Sequence, residues 1–155
     1  MDQIFKANRR SIALKWQKYK EENKDADELV WRKPTDFLYN EGTLKVFEGD
    51  IEPNDIKQGG LGDCYYLSSL SVLAEHKNLV RRIFYTKEYQ PDGLFGIWLC
   101  VNGVWKLISL DNMFVCHKDS RGAAFSRSNG PELWVLLMEK AYAKINQCFA
   151  NIVSG

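Results

Sequence analysis

The 155-residue sequence contains no long apolar run and no excess of charge of either sign. No segment approaches the roughly 20 consecutive apolar residues of a membrane-spanning helix, and the N-terminus lacks the apolar centre of a signal peptide. Its 21 basic and 20 acidic side chains give a net charge of +1, which creates no field to attract nucleic acid or a membrane surface. We therefore expect a cytoplasmic protein that neither binds nucleic acid nor spans a membrane.

Cysteine is sparse and scattered, at Cys64, Cys100, Cys116 and Cys148. These positions lack the close pairs of a zinc site and the density of a secreted disulfide framework. Cys116 is followed by His117, but adjacent residues on a strand point in opposite directions, and no second ligand pair completes a metal site. We expect four free thiols and no metal at this pair.

Hydrophobic residues make up 45% of the sequence, enough for one globular domain with its own core. Residues 2–22 are rich in good helix formers and predict an N-terminal helix, followed by a polar connector that ends near residue 28. We therefore divide the chain into an N-terminal helix and connector, residues 1–28, and a main domain, residues 29–155.

Within the main domain, two strand-like runs at residues 95–101 and 104–110 flank an Asn-Gly pair, the strongest short hairpin signal. We expect Trp98 and Trp105 to pack this hairpin against the core. Pro131 is expected to be the first residue of a second helix that runs to about residue 147. The fold class is therefore α+β, dominated by helices, with a small antiparallel hairpin.

The most informative segment is QGGLGDC, residues 58–64, which leads directly into an apolar helical pattern. Three glycines allow a tight turn, and Asp63 is a natural N-cap, so Cys64 is expected in the first turn of a helix. The positive end of the helix dipole favours the thiolate, which is the nucleophilic form of cysteine. The Gln58 amide, together with the Cys64 backbone N–H, could then stabilise the oxyanion of acyl transfer.

This loop resembles the nucleophile loop of calpains, the calcium-dependent papain-like cysteine proteases. The resemblance continues in VWRKPT, residues 30–35, and in ELWVLLMEKAYAKIN, residues 132–146, which is similar to the second core helix of that family. It covers residues 29–155 and leaves only the N-terminal helix outside. Tyr65 departs from the family, which usually has tryptophan after the cysteine.

The resemblance implies a papain-like fold and the first, helical subdomain of a calpain protease core. It also implies one Ca²⁺ ion held by Asp55 and Glu132, with backbone carbonyls around residues 48–50, and such hard oxygen donors suit calcium. Taken alone, Asp55 and Glu132 also fit a turn acid and an acid in the first turn of a helix. Gly49 stands one place earlier than the family spacing.

In calpains the catalytic histidine and asparagine come from the second subdomain, and neither His76 nor His117 stands where that histidine lies. The implied function is therefore the Cys64-bearing half of a calcium-dependent cysteine endopeptidase that is inactive alone. Its partners would be protein or peptide substrates and a second protease subdomain, in the same longer chain or in trans. The alternative is a non-catalytic module that binds peptides or proteins, while a purely structural domain would explain neither Gln58 nor Cys64.

Overall fold

The computed structural model describes residues 5–38, 42–119, 122–128 and 130–153. The chain begins with two short helices, α1 (Arg9–Ile12) and α2 (Trp16–Glu22), where the sequence predicts one helix. The predicted residues 2–4 lie outside the described part. Ala13 is extended, with φ −149° and ψ 130°, and this break bends the segment around a hydrophobic cluster that includes Ile12 and Phe149.

Strand β1 (Leu29–Arg32) and the short helix α3 (Pro34–Phe37) come next, followed by a 3₁₀ turn at Pro53–Asp55. The predicted helix after the glycine-rich loop is α4 (Cys64–Ala74), and α5 (Lys77–Ile83) follows it.

The predicted hairpin is confirmed, with β2 (Phe95–Val101) antiparallel to β3 (Val104–Leu110). Asn102 and Gly103 have φ of 53° and 78°, the left-handed pair that a tight two-residue hairpin turn requires. The expected packing of the tryptophans is wrong, because Trp98 is 38% exposed and Trp105 is 60% exposed. The buried Ile97 lies on the other face of β2 and packs into the core instead.

Strand β4 (Phe114–His117) pairs antiparallel with β1, and the last long element is helix α6 (Trp134–Ile145). The expectation that Pro131 starts this helix is wrong by three residues. The backbone N–H groups of Leu133 and Trp134 both donate to the carbonyl of Val46, so the chain pairs with that segment before it turns helical.

Helix α6 lies at the centre of the molecule, with every residue from Trp134 to Ala141 buried. One cluster of buried side chains surrounds it with residues of α4, α5 and the hairpin, and a second cluster joins its C-terminal end to α1 and the 3₁₀ turn Phe149–Ile152. In the described part of the chain, no helix has the length and apolar character needed to cross a membrane.

Candidate active site

Helix α4 begins at Cys64, and the Cys64 side chain is exposed to solvent. The first backbone N–H groups of a helix have no acceptor within the helix, so that of Cys64 is available to a ligand. The amides of Tyr66 and Leu67 donate to the carbonyl of Asp63, 2.9 and 3.1 Å away, and close the first turn. A thiol in this position meets the partial positive charge of an eleven-residue helix.

The loop before Cys64 is held by residues 122–128, which run alongside it. Lys57 and Arg127 exchange two backbone hydrogen bonds of 2.9 and 2.8 Å, and the Gly60 N–H donates to the Ala124 carbonyl at 2.9 Å. At Gly59 the two backbones approach so closely that a Cβ would lie 1.5 Å from the carbonyl oxygen of Phe125. Glycine is therefore required here for space.

Between these anchor points lies Gln58, whose side chain is exposed and makes no hydrogen bond with the described residues. Its amide can therefore donate to a substrate oxygen without first breaking a contact. The role of Gln58 as an oxyanion donor stays a prediction.

Asp63 occupies the N-cap position of α4, but its side chain does not cap the helix. It is 1% exposed and faces the carboxyl group of Glu139 in α6, which is 4% exposed. Glu139 in turn accepts hydrogen bonds from the backbone N–H of Ser126, at 3.0 Å, and from its hydroxyl, at 2.8 Å. Burial, and then the other carboxyl, raises the pKa of Glu139 well above its usual range, and burial raises the pKa of Asp63.

Two tyrosines further connect α4 to α6. The Tyr66 hydroxyl donates to the Met138 carbonyl at 3.0 Å, and the Tyr66 ring stacks in parallel on that of Tyr142, with centroids 4.2 Å apart. Burial raises the pKa of Tyr66 well above its usual value. Helix α4 is thus fixed to the central helix α6 along its first turns.

Lys140, which follows Glu139 in α6, contacts a different part of the fold. Its ammonium group is 1% exposed, forms a salt bridge with Asp111 after β3, and donates to the Met113 carbonyl at 2.6 Å. Adjacent helix residues point about 100° apart, so Glu139 and Lys140 serve separate contacts. Lys140 therefore connects α6 to the segment between β3 and β4.

Neither histidine forms a hydrogen bond with Cys64 among the described residues. His76 lies two residues beyond the C-terminal end of α4, and that end is about 15 Å from Cys64 along the helix axis at 1.5 Å per residue. His117 ends β4 and lines a cavity of about 320 Å³ together with Gly60, Tyr19 and Phe125. Cys116, beside it, is fully buried, and burial raises the pKa of its thiol to about 12.

Asp55 and Glu132, the expected calcium ligands, are brought into the same region. Glu132 is 2% exposed and accepts a hydrogen bond from the Glu48 backbone N–H at 3.3 Å. Burial, and then the negative charge of Asp55, raises the pKa of Glu132 to about 7. Among the described residues, no group of three or more histidine, cysteine, aspartate or glutamate side chains could hold a metal ion.

The backbone carbonyls expected to complete the calcium site belong to residues 48–50. Gly49 has a φ of 68°, and its carbonyl accepts a 2.5 Å hydrogen bond from Arg81. The Asp50 carboxylate pairs with Lys77 at 2.6 Å. The two predicted carboxylates therefore lie near each other, whereas the neighbouring carbonyl of Gly49 is bonded to a cationic side chain.

Sequence reasoning missed the contacts of Asp63 with Glu139 and of Glu139 with Ser126. Asp63 and Glu139 are 76 positions apart, and no short-range pattern joins them. The one available signal was the apolar triplet at residues 123–125. All three of these residues are buried.

Comparison with known proteins identifies the family. The family model described as "Calpain family cysteine protease" matches residues 1–155. This chain belongs to the calpain family of cysteine proteases. The resemblance seen in the sequence is thereby confirmed, and the mixed fold with its small antiparallel elements agrees with the first subdomain of a calpain core. The match also takes in residues 1–28, which the motifs left outside, while the boundary at residue 29 stays a prediction.

Several calpains are similar to this chain over most of its length. Calpain-type cysteine protease DEK1 of Arabidopsis thaliana is 31% identical over 157 residues, which cover 99% of this chain and 7% of that protein. Calpain-8 of Rattus norvegicus is 31% identical, with 84% of this chain and 18% of the relative covered. Calpain-5 of Caenorhabditis elegans is 29% identical, with coverage of 100% and 23%. The chain thus spans less than a quarter of the length of these relatives.

Proposed function

We propose that this chain is the nucleophile-bearing half of a calcium-dependent cysteine endopeptidase, and that it needs a second subdomain to cut peptides. The observation that carries the proposal is the exposed Cys64 thiol at the first residue of α4, on a loop fixed by backbone contacts on both sides of Gln58. A binding module has no chemical need of this arrangement.

In the proposed reaction the Cys64 thiolate attacks the peptide carbonyl carbon, and a carbon–sulfur bond forms as the carbonyl π electrons move to oxygen. The Gln58 amide and the Cys64 backbone N–H donate to the resulting oxyanion. When the tetrahedral intermediate collapses, the carbon–nitrogen bond breaks and the leaving amine takes a proton from an imidazolium. Water then hydrolyses the thioester and returns the thiol.

The imidazolium would come from a histidine outside these 155 residues, as the family implies. This is supported by His76 and His117, because neither forms a hydrogen bond with Cys64 among the described residues. The lack of a general acid typically costs about 10²- to 10⁴-fold in rate. We therefore expect the chain alone to show at most a trace of peptidase activity.

The test is a fluorogenic peptide assay with calcium, on the chain alone and after addition of a separately expressed second calpain subdomain that carries histidine and asparagine. Turnover should appear only in the mixture and should be lost in Cys64→Ala. Robust turnover by the chain alone that is lost in His117→Ala would contradict the proposal and identify His117 as the base. Peptide binding by a mixture that stays inactive would instead favour the non-catalytic binding module.

We further propose that Asp55 and Glu132 hold one Ca²⁺ ion. The oxygen atoms at this place suit Ca²⁺. The buried Glu132 carboxylate faces two other acids, Asp55 and Glu48, and accepts one hydrogen bond, from a backbone N–H. A divalent cation would compensate this repulsion and tie the 3₁₀ turn Pro53–Asp55 to the start of α6. Carbonyl donors from residues 48–50 would require Arg81 to release Gly49.

Isothermal titration calorimetry tests the calcium site. Two carboxylates with carbonyls and water suggest a Kd of about 10⁻⁵ to 10⁻³ M. Asp55→Asn and Glu132→Gln should each abolish the calcium heat, while the exposed Asp92→Asn should leave it unchanged. Absence of heat in the wild type, or equal heats in all three variants, would remove calcium from the proposal.

A cytoplasmic location also remains a proposal. Its support is that Cys64, Cys100, Cys116 and Cys148 are all free thiols, as expected in a reducing compartment. Fractionation of the source cells, followed by thiol labelling of this protein, would test it. Recovery in an oxidising compartment with paired cysteines would contradict it.

A further inference from the structure

The buried carboxyl groups of Asp63 and Glu139 face each other, and two ionised carboxylates cannot form a hydrogen bond with one another. The Oδ2 atom of Asp63 is buried and has no N–H or O–H partner among the described residues. The group that faces Asp63 is the Glu139 carboxyl, and both Glu139 oxygens accept from Ser126. Two carboxylates have only acceptors to offer each other, so the contact is stable only with a proton between them.

We propose that Asp63 and Glu139 share one proton at neutral pH, and that this acid pair is the positioning element that holds the first turn of α4, and hence Cys64, against α6. Glu139 is bound to Ser126 of the segment that runs alongside the glycine-rich loop. The shared proton therefore joins three parts of the site: the nucleophile helix, the central helix and the support of the loop.

The titratable groups around the pair do not compensate its negative charge. The titratable side chains that face it are the hydroxyls of Tyr65 and Tyr66 in α4, whose raised pKa values leave them uncharged at neutral pH. The nearest cation along α6, Lys140, is committed to Asp111 and Met113. The raised pKa values of both carboxyls agree with one retained proton, which belongs to the pair and to neither residue alone.

The consequence for the nucleophile follows from adjacency, since Asp63 directly precedes Cys64. With one shared proton, the pair carries a single negative charge that is spread over two carboxyls. A second negative charge on the pair would repel the first and would push the first turn of α4, and with it Cys64, away from α6. This consequence rests on the proposed role of Cys64 as the nucleophile, whereas the shared proton itself does not.

Infrared spectroscopy of the full chain at pH 7 tests the shared proton directly. The wild type should show the C=O band of a protonated carboxylic acid that is missing from the double variant Asp63→Asn/Glu139→Gln. Glu132 contributes equally to both samples, so the difference spectrum isolates the pair. Identical spectra in the carboxylic acid region would refute the shared proton, whatever the result of a peptidase assay.

Iodoacetamide labelling followed by mass spectrometry tests the positioning role, with Cys100 as the internal reference. Glu139→Gln, whose amide N–H replaces the shared proton, should keep the wild-type ratio of Cys64 to Cys100 labelling within about twofold. Glu139→Ala should lower that ratio by about tenfold. A wild-type ratio in Glu139→Ala, or an equal loss in Glu139→Gln, would overturn the role. If Glu139→Ala does not fold, the Glu139→Gln ratio and the infrared difference still decide.

Discussion

Replacement of Gly59 by alanine is the sharpest structural test of the glycine-rich loop before Cys64. The added Cβ would lie 1.5 Å from the Phe125 carbonyl oxygen and 2.7 Å from that of Ala124, and both are backbone atoms that cannot rotate away. Overpacking of this kind costs about 1–3 kcal/mol, and loss of the Gly60–Ala124 hydrogen bond adds about 1 kcal/mol. We therefore expect Gly59→Ala to lower the free energy of unfolding by about 2–4 kcal/mol.

The neighbouring glycine supplies a matched control, because a Cβ at Gly60 would lie 3.4 Å from the Ala124 carbonyl oxygen, an ordinary contact. Urea unfolding of both variants gives the stability difference, and the labelling rate of Cys64 reports whether the loop has moved. Gly60→Ala should behave like the wild type in both assays. Equal stability and equal Cys64 labelling in the two variants would refute the argument that the loop depends on this close approach.

Three further outcomes are expected. Limited iodoacetamide treatment should label Cys64 before Cys100, the other exposed thiol, because only Cys64 lies at a helix N-terminus, and mass spectrometry would expose the reverse order. Lys140→Ala should lower the free energy of unfolding by about 3–5 kcal/mol in urea titrations, since it leaves a buried carboxylate unpaired; a loss below 1 kcal/mol would contradict this. Ile97→Ala should cost about 2–5 kcal/mol, but Trp105→Ala far less, and similar losses would argue against the outward placement of Trp105.

Local signals determined the parts of this fold that sequence reasoning predicted well. The hairpin turn at Asn102 and Gly103 needs two residues with positive φ, and few other pairs adopt that conformation. The start of α4 at Cys64 follows from the glycine-rich turn just before it, in which Gly62 has a φ of 77°. In both places, two or three adjacent residues determine the local backbone conformation.

Where the prediction failed, the deciding contact was distant in sequence. Both faces of β2 carry large apolar side chains, so alternation alone could not tell whether Ile97 or Trp98 enters the core. Pro131 is a good first residue for a helix, but Val46, 85 positions earlier, accepts the N–H groups that would have begun it. Asp63 was expected to cap α4 and instead faces Glu139.

The placement of Glu139 and Lys140 side by side in a buried helix explains why α6 can support two sites at once. A charged residue inside a core is costly unless it is paired, and here each one has its own partner on a different side of the helix. Glu139 contacts Asp63 at the start of α4 and Ser126 in the segment beside the glycine-rich loop, and Lys140 fixes the link between β3 and β4. A rotation of α6 about its axis, or a shift along it, that improved one contact would break the other. The two pairs together therefore determine both the rotation of the helix and its position along the axis. The position of Cys64, at the start of α4, is therefore set by contacts with α6 within these residues.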